Sequence, residues 1–401
     1  MSIPPSVNLN FTNSTLDPRI TFTRSAATAT RVNSIGFVEA MAADTPRFDF
    51  DSVTLVCKGL LIEEDRTNLR SYSEEFDNTG IWARTNSSVS ANFASVIAPD
   101  GSTNSDKLIA NIGATTNVLV VSSLSLTSGT TYTYSCYAKA GERNVVRLRI
   151  IGTAGWASVI VNLTTGTVTS STGTVVVTEE KDGWYRIAVT AVCDKTGSNA
   201  VYVYDNTGTA GNGTDGIYIF GAQLEAGDSA TSYIPTTTTA VTRNPDVATI
   251  TGVNFSDFWQ ASKGGAQVQV IPSTVSGIRP LVQYDDGTAD NLIALRGNAA
   301  NPELHIVDGG APQVQLDAGT IVANTPYSLT GWWQTNDCKA RKDSGAVVTD
   351  DTATIPTVTQ ARLGSDGTNY LNGHLATINY YDTFSGQIYT RRKNKVFSSL
   401  L

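Results

Sequence analysis

The sequence predicts an all-β chain, with two antiparallel β-sandwich domains of jelly-roll type behind a small β-rich N-terminal attachment region. Three observations lead there. Strand-like runs are short, rich in β-branched and aromatic residues, and separated by clusters of Gly, Asn, Asp, Thr and Ser. Charged residues make up only 16% of the 401, against roughly 25% in an average globular chain, and hydroxyls and amides take their place. Sustained helical periodicity is scarce.

The elements follow in chain order. Residues 1–70 hold two or three strand-like pieces with too little apolar sequence for a core of their own, so they need support from another domain or chain. The stretch 63–76 reads as one or two helical turns. Residues 71–240 carry the densest strand signal, in "TYTYSCYAKA" (131–140), "VVRLRIIG" (145–152), "ASVIVNL" (157–163), "WYRIAVTAV" (184–192), "AVYVYD" (200–205) and "IYIFGAQLE" (217–225). In "VYVYD" the tyrosines stand at i and i+2, hence on one face of a strand. The tract "TSYIPTTTTAVTRNP" then combines a proline, which cannot donate to a ladder, with stiff β-branched threonines. It reads as a semi-extended connector, placing a boundary near 240 and predicting proteolytic cleavage there. A second β region, 241–401, runs through "AQVQVIP", "RPLVQYDD", "NLIALRG", "PELHIVDG", "PYSLTGWWQ", "KARKDS" and "ATINYYD". Short helical segments are expected at 255–262 and 384–397.

Charge and cysteine usage exclude several classes. A net charge of −8 gives no general affinity for nucleic acid, whose phosphates need basic patches; the only basic cluster is Arg391, Arg392, Lys393 and Lys395. No apolar run approaches the ~18 residues of a membrane-spanning helix, and the N-terminus does not read as a signal peptide. The four cysteines, Cys57, Cys136, Cys193 and Cys338, form no zinc or redox motif. A Cys136–Cys193 disulfide requires their strands to face each other; the alternative is four small buried hydrophobes.

Chemistry-bearing patterns are few. The histidines, His305 and His374, lack partners at metal spacing. There is no nucleophile elbow, phosphate loop or zinc-protease helix. Glu63, Glu64 and Asp65, Glu74, Glu75 and Asp77, and Asp285 and Asp286 are acidic runs, but neighbours on a strand point to opposite faces and make a poor glycosidase pair. Asp285, Asp286 and Asp290 share one loop, "YDDGTADN", whose hard oxygens suit calcium without the full EF-hand spacing. Saccharide platforms are sought among exposed aromatics: Trp156, Tyr202, Tyr204, Trp332 and Trp333. Of the adjacent pair Trp332 and Trp333, one faces inward and one outward. Trp184 opens an apolar strand and reads as core.

The N-terminal segments "FTRSAATATRV", "GFVEAMAADTPRFDFD", "CKGLLIEEDRTNL" and "SEEFDNTGIW", with "GAQLEAG" and "TSYIPT" downstream, resemble a segment recurrent in tail-fibre and head-fibre proteins of tailed bacteriophages. "FDNTGIW", "DKL", "YTYSCYAKAG" and "DGWYRIAVT" resemble jelly-roll carbohydrate-binding modules. "TPYSLTGWWQTNDCKARKDSGAV" and "LGSDGTNYLNGHLATINYYDTFSGQIYT" resemble the laminin G-like or concanavalin A-like sandwich, without a recognisable legume-lectin metal site. The resemblance implies a non-enzymatic virion protein, made in the host cytoplasm and released by lysis. It would be a homo-oligomer, most simply a trimer, contacting other virion proteins and a host surface polysaccharide. It implies no cofactor beyond a structural calcium, for which Asp77 or Asp215 would also serve. The runner-up reading is a purely structural capsid or tail accessory protein; the third is a glycan depolymerase.

Overall fold

The structure, a computed structural model, describes residues 4–115, 117–151 and 157–383, the side chains of 117–123 excepted. It is built almost wholly of antiparallel strands, as the strand-like runs predicted. Two sandwiches result, each with its own apolar core.

The middle sandwich packs two six-stranded sheets. One runs Thr174–Glu180, Trp184–Val192, Thr131–Ala140, Gly216–Ala226, Asp106–Ala110, Ser87–Ser90. The other runs Thr167–Thr172, Ala157–Asn162, Val145–Ile151, Gly197–Asp205, Asn117–Leu126, Trp82–Thr85. Burial alternates along Val145–Ile151 and along most of Gly197–Asp205, the period-2 signature of strands with one face in a core. Val146, Leu148 and Ile150 meet Val201 and Val203 inside.

The second sandwich draws on both ends of the chain. Its eight-stranded sheet places Lys263–Pro272 beside Gly373–Tyr381, and the far edge of that strand is completed by Val7–Asn10 and Cys57–Ile62. Its seven-stranded sheet runs Thr21–Thr23, Val247–Thr251, Gln360–Leu363, Ile278–Asp285, Leu292–Asn298, Asn301–Asp308, Ala311–Asp317. Val7, Leu9, Phe11, Phe22 and Leu60 thus share a core with Val268, Leu295 and Trp333. The support that the N-terminal region needs comes from residues 247–381 of the same chain. Gly59 makes this docking feasible: its φ is +114°, and a Cβ there would lie 2.1 Å from the Leu375 carbonyl oxygen.

The middle sandwich is therefore inserted between strands of the other. The chain leaves through Arg66–Asn68 and returns antiparallel to it through Val241–Arg243, so the Thr-rich tract ends in a paired neck, with only residues 237–240 forming a continuous exposed stretch. Buried ions tie the neck to the N-terminal strands. Asp246 takes Arg24 Nη1 at 3.1 Å and pairs with Arg47, which also reaches Glu63 at 2.8 Å. Arg243 lies 3.3 Å from Glu63.

Two helical expectations are corrected, and the cysteines take the second of their two readings. Residues 63–76 contain a strand, Arg66–Asn68, and no helix, because this stretch pairs with the returning neck. The helix expected at 255–262 is one turn, Val253–Ser256. The cysteines are free. The Cys136 and Cys193 strands do pair, but Cys136 sits opposite Ile187 and Cys193 follows Val192, itself opposite Thr131. Six residues of strand, about 20 Å, separate the thiols. The 384–397 segment and the basic cluster at 391–395 lie outside the described residues.

Candidate functional site

The outer face of the seven-stranded sheet carries a polar cleft. Its inner face is spent on the core by Val282, Tyr284, Ile293, Leu295, Leu304, Ile306, Ala361 and Leu363. The alternate residues consequently face out, and register arranges them in rows. One row reads Gln360, Asp285, Leu292, Val307; the next reads Arg362, Gln283, Ala294, His305, Gln315. Arg296 stands opposite Glu303 beyond them. Leu292, Ala294 and Val307 form a small buried apolar cluster on this outward side. The turns at 286–291 and 366–369 supply a rim. Together they enclose a cavity of about 510 Å³.

The polar groups are held in fixed poses. Asp285 is 1% exposed and accepts from Gln283 Nε2 at 3.0 Å, the Gly287 amide at 2.8 Å and Arg362 Nε at 2.9 Å. That leaves the two terminal nitrogens of Arg362 without a partner among the described residues. Glu303 holds Arg296 Nε at 2.7 Å and Gln315 at 3.1 Å. His305 Nδ1 is buried without a hydrogen-bond partner; burial, reinforced by Arg296, pushes its imidazole below the ordinary value, so the ring is neutral at pH 7. The rim turns cap themselves: Asp286 accepts from Thr288 and Asn291, and Asp366 from Thr368 and Asn369. An aliphatic floor walled by fixed donors and acceptors suits a ligand that is apolar on one face and hydroxylated at its edge. A pyranose has that character.

The other predicted site residues are dispersed. Asp285 points into the cleft, whereas Asp286 caps its own turn; Asp290 Oδ1 lies 3.3 Å from where a Cβ on Gly310 would stand. Among the described residues no group of three or more His, Cys, Asp or Glu side chains could hold a metal ion. Asp215 receives a hydroxyl from Thr214 in an exposed turn, and Asp77 neighbours the buried Asp106. Trp333 is fully buried in the core against Trp259, Tyr284 and Tyr380. Trp332 lies on the opposite side of its strand over Gly265 and is itself 9% exposed, so neither indole offers an open platform. Trp184 is core, as expected. Tyr202 and Tyr204 project together from the outer face of the middle sandwich. Trp156 lies outside the described residues.

A larger cavity, about 640 Å³, separates the two sandwiches, lined by Asp49, Lys58, Glu63, Glu180, Arg186 and His374 among others. Its carboxylates are mostly committed. Asp49 takes the Val32 amide at 2.7 Å, Lys58 at 2.7 Å and His374 Nε2 at 2.8 Å. Glu63 takes Ser232 and two arginines. Burial raises the Glu180 carboxyl. These contacts join the N-terminal strands to the neck and to Gly373–Tyr381.

Arg296, Arg362, Gln283 and the Leu292–Ala294–Val307 floor were not singled out in the sequence. Their signal was present: in "LVQYDD", "LIALRG" and "ELHIVD" one alternate set is continuously apolar and the other mixes polar and apolar.

No family model and no curated protein matches the chain. Among solved structures, the carbohydrate-binding module CBM40 of a Ruminococcus gnavus sialidase, bound to α2,3 sialyllactose, is similar over 31% of this chain and 78% of its own, with 14% identity and a TM-score of 0.27. Domains LG4-5 of the mouse laminin alpha1 chain are similar over 65% and 84%, with 10% identity and a TM-score of 0.24.

Proposed function

We propose that the chain is a non-catalytic glycan-binding subunit of a bacteriophage particle, and that the cleft on the seven-stranded sheet is its saccharide site. The observation that carries the binding role is the aliphatic floor of Leu292 and Val307, packed on the buried Ala294 and set among Arg362, Gln283, His305 and Arg296. A sugar ring would lay its C–H face on the floor and exchange hydrogen bonds with the walls. Among the described residues no Phe, Tyr or Trp lines this cleft, so aromatic stacking contributes little and each site is weak, with a dissociation constant on the order of 0.1–1 mM. Copies in a homo-oligomer, proposed as a trimer, would raise the effective concentration and give useful avidity.

The virion setting is supported by the N-terminal resemblance alone, carried by "FTRSAATATRV", "DTPRF" and "GLLIEEDRTNL". In that setting the ligand is a host surface polysaccharide and the neighbours are other virion proteins. The test is a glycan array probed with an oligomeric form of the protein, together with adsorption assays on particles lacking it. Binding to envelope saccharides with impaired adsorption supports the proposal. No binding, with normal adsorption, leaves a purely structural accessory role.

A further inference from the structure

We infer that the outer face of the second six-stranded sheet of the middle sandwich binds a carboxylate-bearing polysaccharide through Arg147 and Arg149. This surface is separate from the cleft of the other sandwich and does not rest on the reading given to it.

Register builds the site. Arg147 lies opposite Tyr204 and Arg149 opposite Tyr202, on the central pair of strands Val145–Ile151 and Gly197–Asp205. Their inward neighbours Val146, Leu148, Val201 and Val203 are fully buried, so the arginines and tyrosines must face outward. The two tyrosine rings stack on each other, centroids 5.5 Å apart and planes within 16°. Arg147 stands over the Tyr204 ring, with its Cζ 5.6 Å from the centroid, and its Nε donates to Ser158 Oγ at 2.8 Å. Tyr204 is thus covered on one face by Tyr202 and by a guanidinium nearby, which leaves it little free surface to serve as a stacking platform. What the assembly offers instead is two guanidiniums, Arg147 held by Ser158 and Arg149 one strand step along, bordered by two tyrosines.

Charge decides the ligand class. The protein carries a net charge of −8, yet the residues that share this face are Ser158, Ile160, Asn162, Ser170 and Thr172 on one side and, beyond the acid-free strand Asn117–Leu126, Ala83 and Thr85 on the other. No Asp or Glu is among them, and neither arginine is paired with a carboxylate among the described residues. Alternate residues of a strand are about 6.6–6.8 Å apart, so the two cations form a short rail along it. Guanidinium binds carboxylate in a two-pronged fashion, and tyrosine hydroxyls complement sugar hydroxyls. A nucleic acid is disfavoured: its dense phosphates would meet only two cations on an acidic protein, and the stacked tyrosines leave no slot for a base.

The test uses the full chain with three probes: alginate oligosaccharides as the polyuronate, neutral dextran oligosaccharides and a single-stranded DNA oligonucleotide, titrated at low ionic strength. The inference expects alginate to bind about ten-fold or more above dextran and DNA. Binding should weaken in 1 M salt, where the Debye length is about 3 Å. The double variant Arg147→Gln/Arg149→Gln should lose alginate binding while keeping the wild-type melting temperature. Lys195→Gln, which removes an exposed cation belonging to neither surface, should leave it unchanged. Equal binding of dextran, tighter binding of DNA, no alginate binding, or alginate binding that survives the double variant would each overturn the inference. Loss caused by Arg362→Gln alone would assign the polyuronate to the cleft and overturn it too.

Discussion

Asp285 Oδ2 accepts the Nε–H of Arg362 at 2.9 Å, and this contact orients the cleft. Asp285 is buried while Arg362 is partly open, so the carboxylate acts as an anchor and the guanidinium as the group presented. Replacing Asp285 by Ala frees Arg362 and strands the Gln283 and Gly287 donors. A stability loss of about 1.5–3 kcal/mol is expected, together with loss of saccharide binding. Thermal unfolding alongside a saccharide titration checks both; a variant that binds normally would show that Arg362 needs no anchor.

Asp246 has a larger structural role. It receives Arg24, Arg47 and the Glu63 amide inside the joint. Asp246→Ala leaves two buried arginines short of a counter-ion, and breaking such a pair costs about 3–5 kcal/mol. Chemical denaturation should show a correspondingly lower midpoint. A loss under 1 kcal/mol would mean that Glu63 alone neutralises the cluster.

The joint also sets the response to acid. Burial alone would push the Glu63 carboxyl up, but Arg243, Arg47 and the Ser232 hydrogen bonds overcome it and hold the group at about 2. Asp49 is likewise depressed: burial opposes, and Lys58 and His374 prevail. A depressed carboxyl contributes stability that is complete above its unfolded value and disappears as pH falls through the folded one. The contribution of these pairs should therefore be complete above pH 4.5, the ordinary value for Glu63, and fall steadily toward pH 2. Melting temperatures across that range provide the check; a flat profile would contradict the role given to these pairs.

Proteolysis separates a paired neck from a free linker. Residues 237–240 are exposed, but Thr236, Arg243 and Asp246 are buried. A protease should nick the chain at 237–240, and the two pieces should stay together in native conditions, because residues 7–62 remain in the sheets of the second sandwich. Release of two separate soluble fragments on a sizing column would count against the inserted arrangement.

Trp333 tests the packing of that sandwich. Its indole is fully buried among Trp259, Tyr284 and Tyr380, so Trp333→Ala should cost about 3–5 kcal/mol. A drop in urea midpoint of that size is expected; a nearly neutral change would place the indole outside the core.

The strands were legible because their cause is local. "VVRLRII" and "VYVYD" alternate with period 2, and the alternation alone fixes which side is core. The return of residues 7–62 to the sheet of 263–381 was not legible, because no local pattern says which distant edge a short strand will join. The same limit hid the cleft. Asp285 was noticed for its acidic neighbours, but its partner Arg362 lies 77 residues away, and only register brings the two together. Trp332 and Trp333 were noticed as aromatics, and alternation correctly put them on opposite faces, but it could not tell that both faces would be covered.

Where a sugar sits decides between a saccharide site and a purely structural face. A crystal structure of the protein soaked with a saccharide recovered from the glycan array is the most direct measurement. A pyranose ring is expected to rest on Leu292 and Val307, with hydrogen bonds to Arg362, Gln283 or His305. A well-defined saccharide bound elsewhere, with this cleft holding only solvent, would contradict that placement.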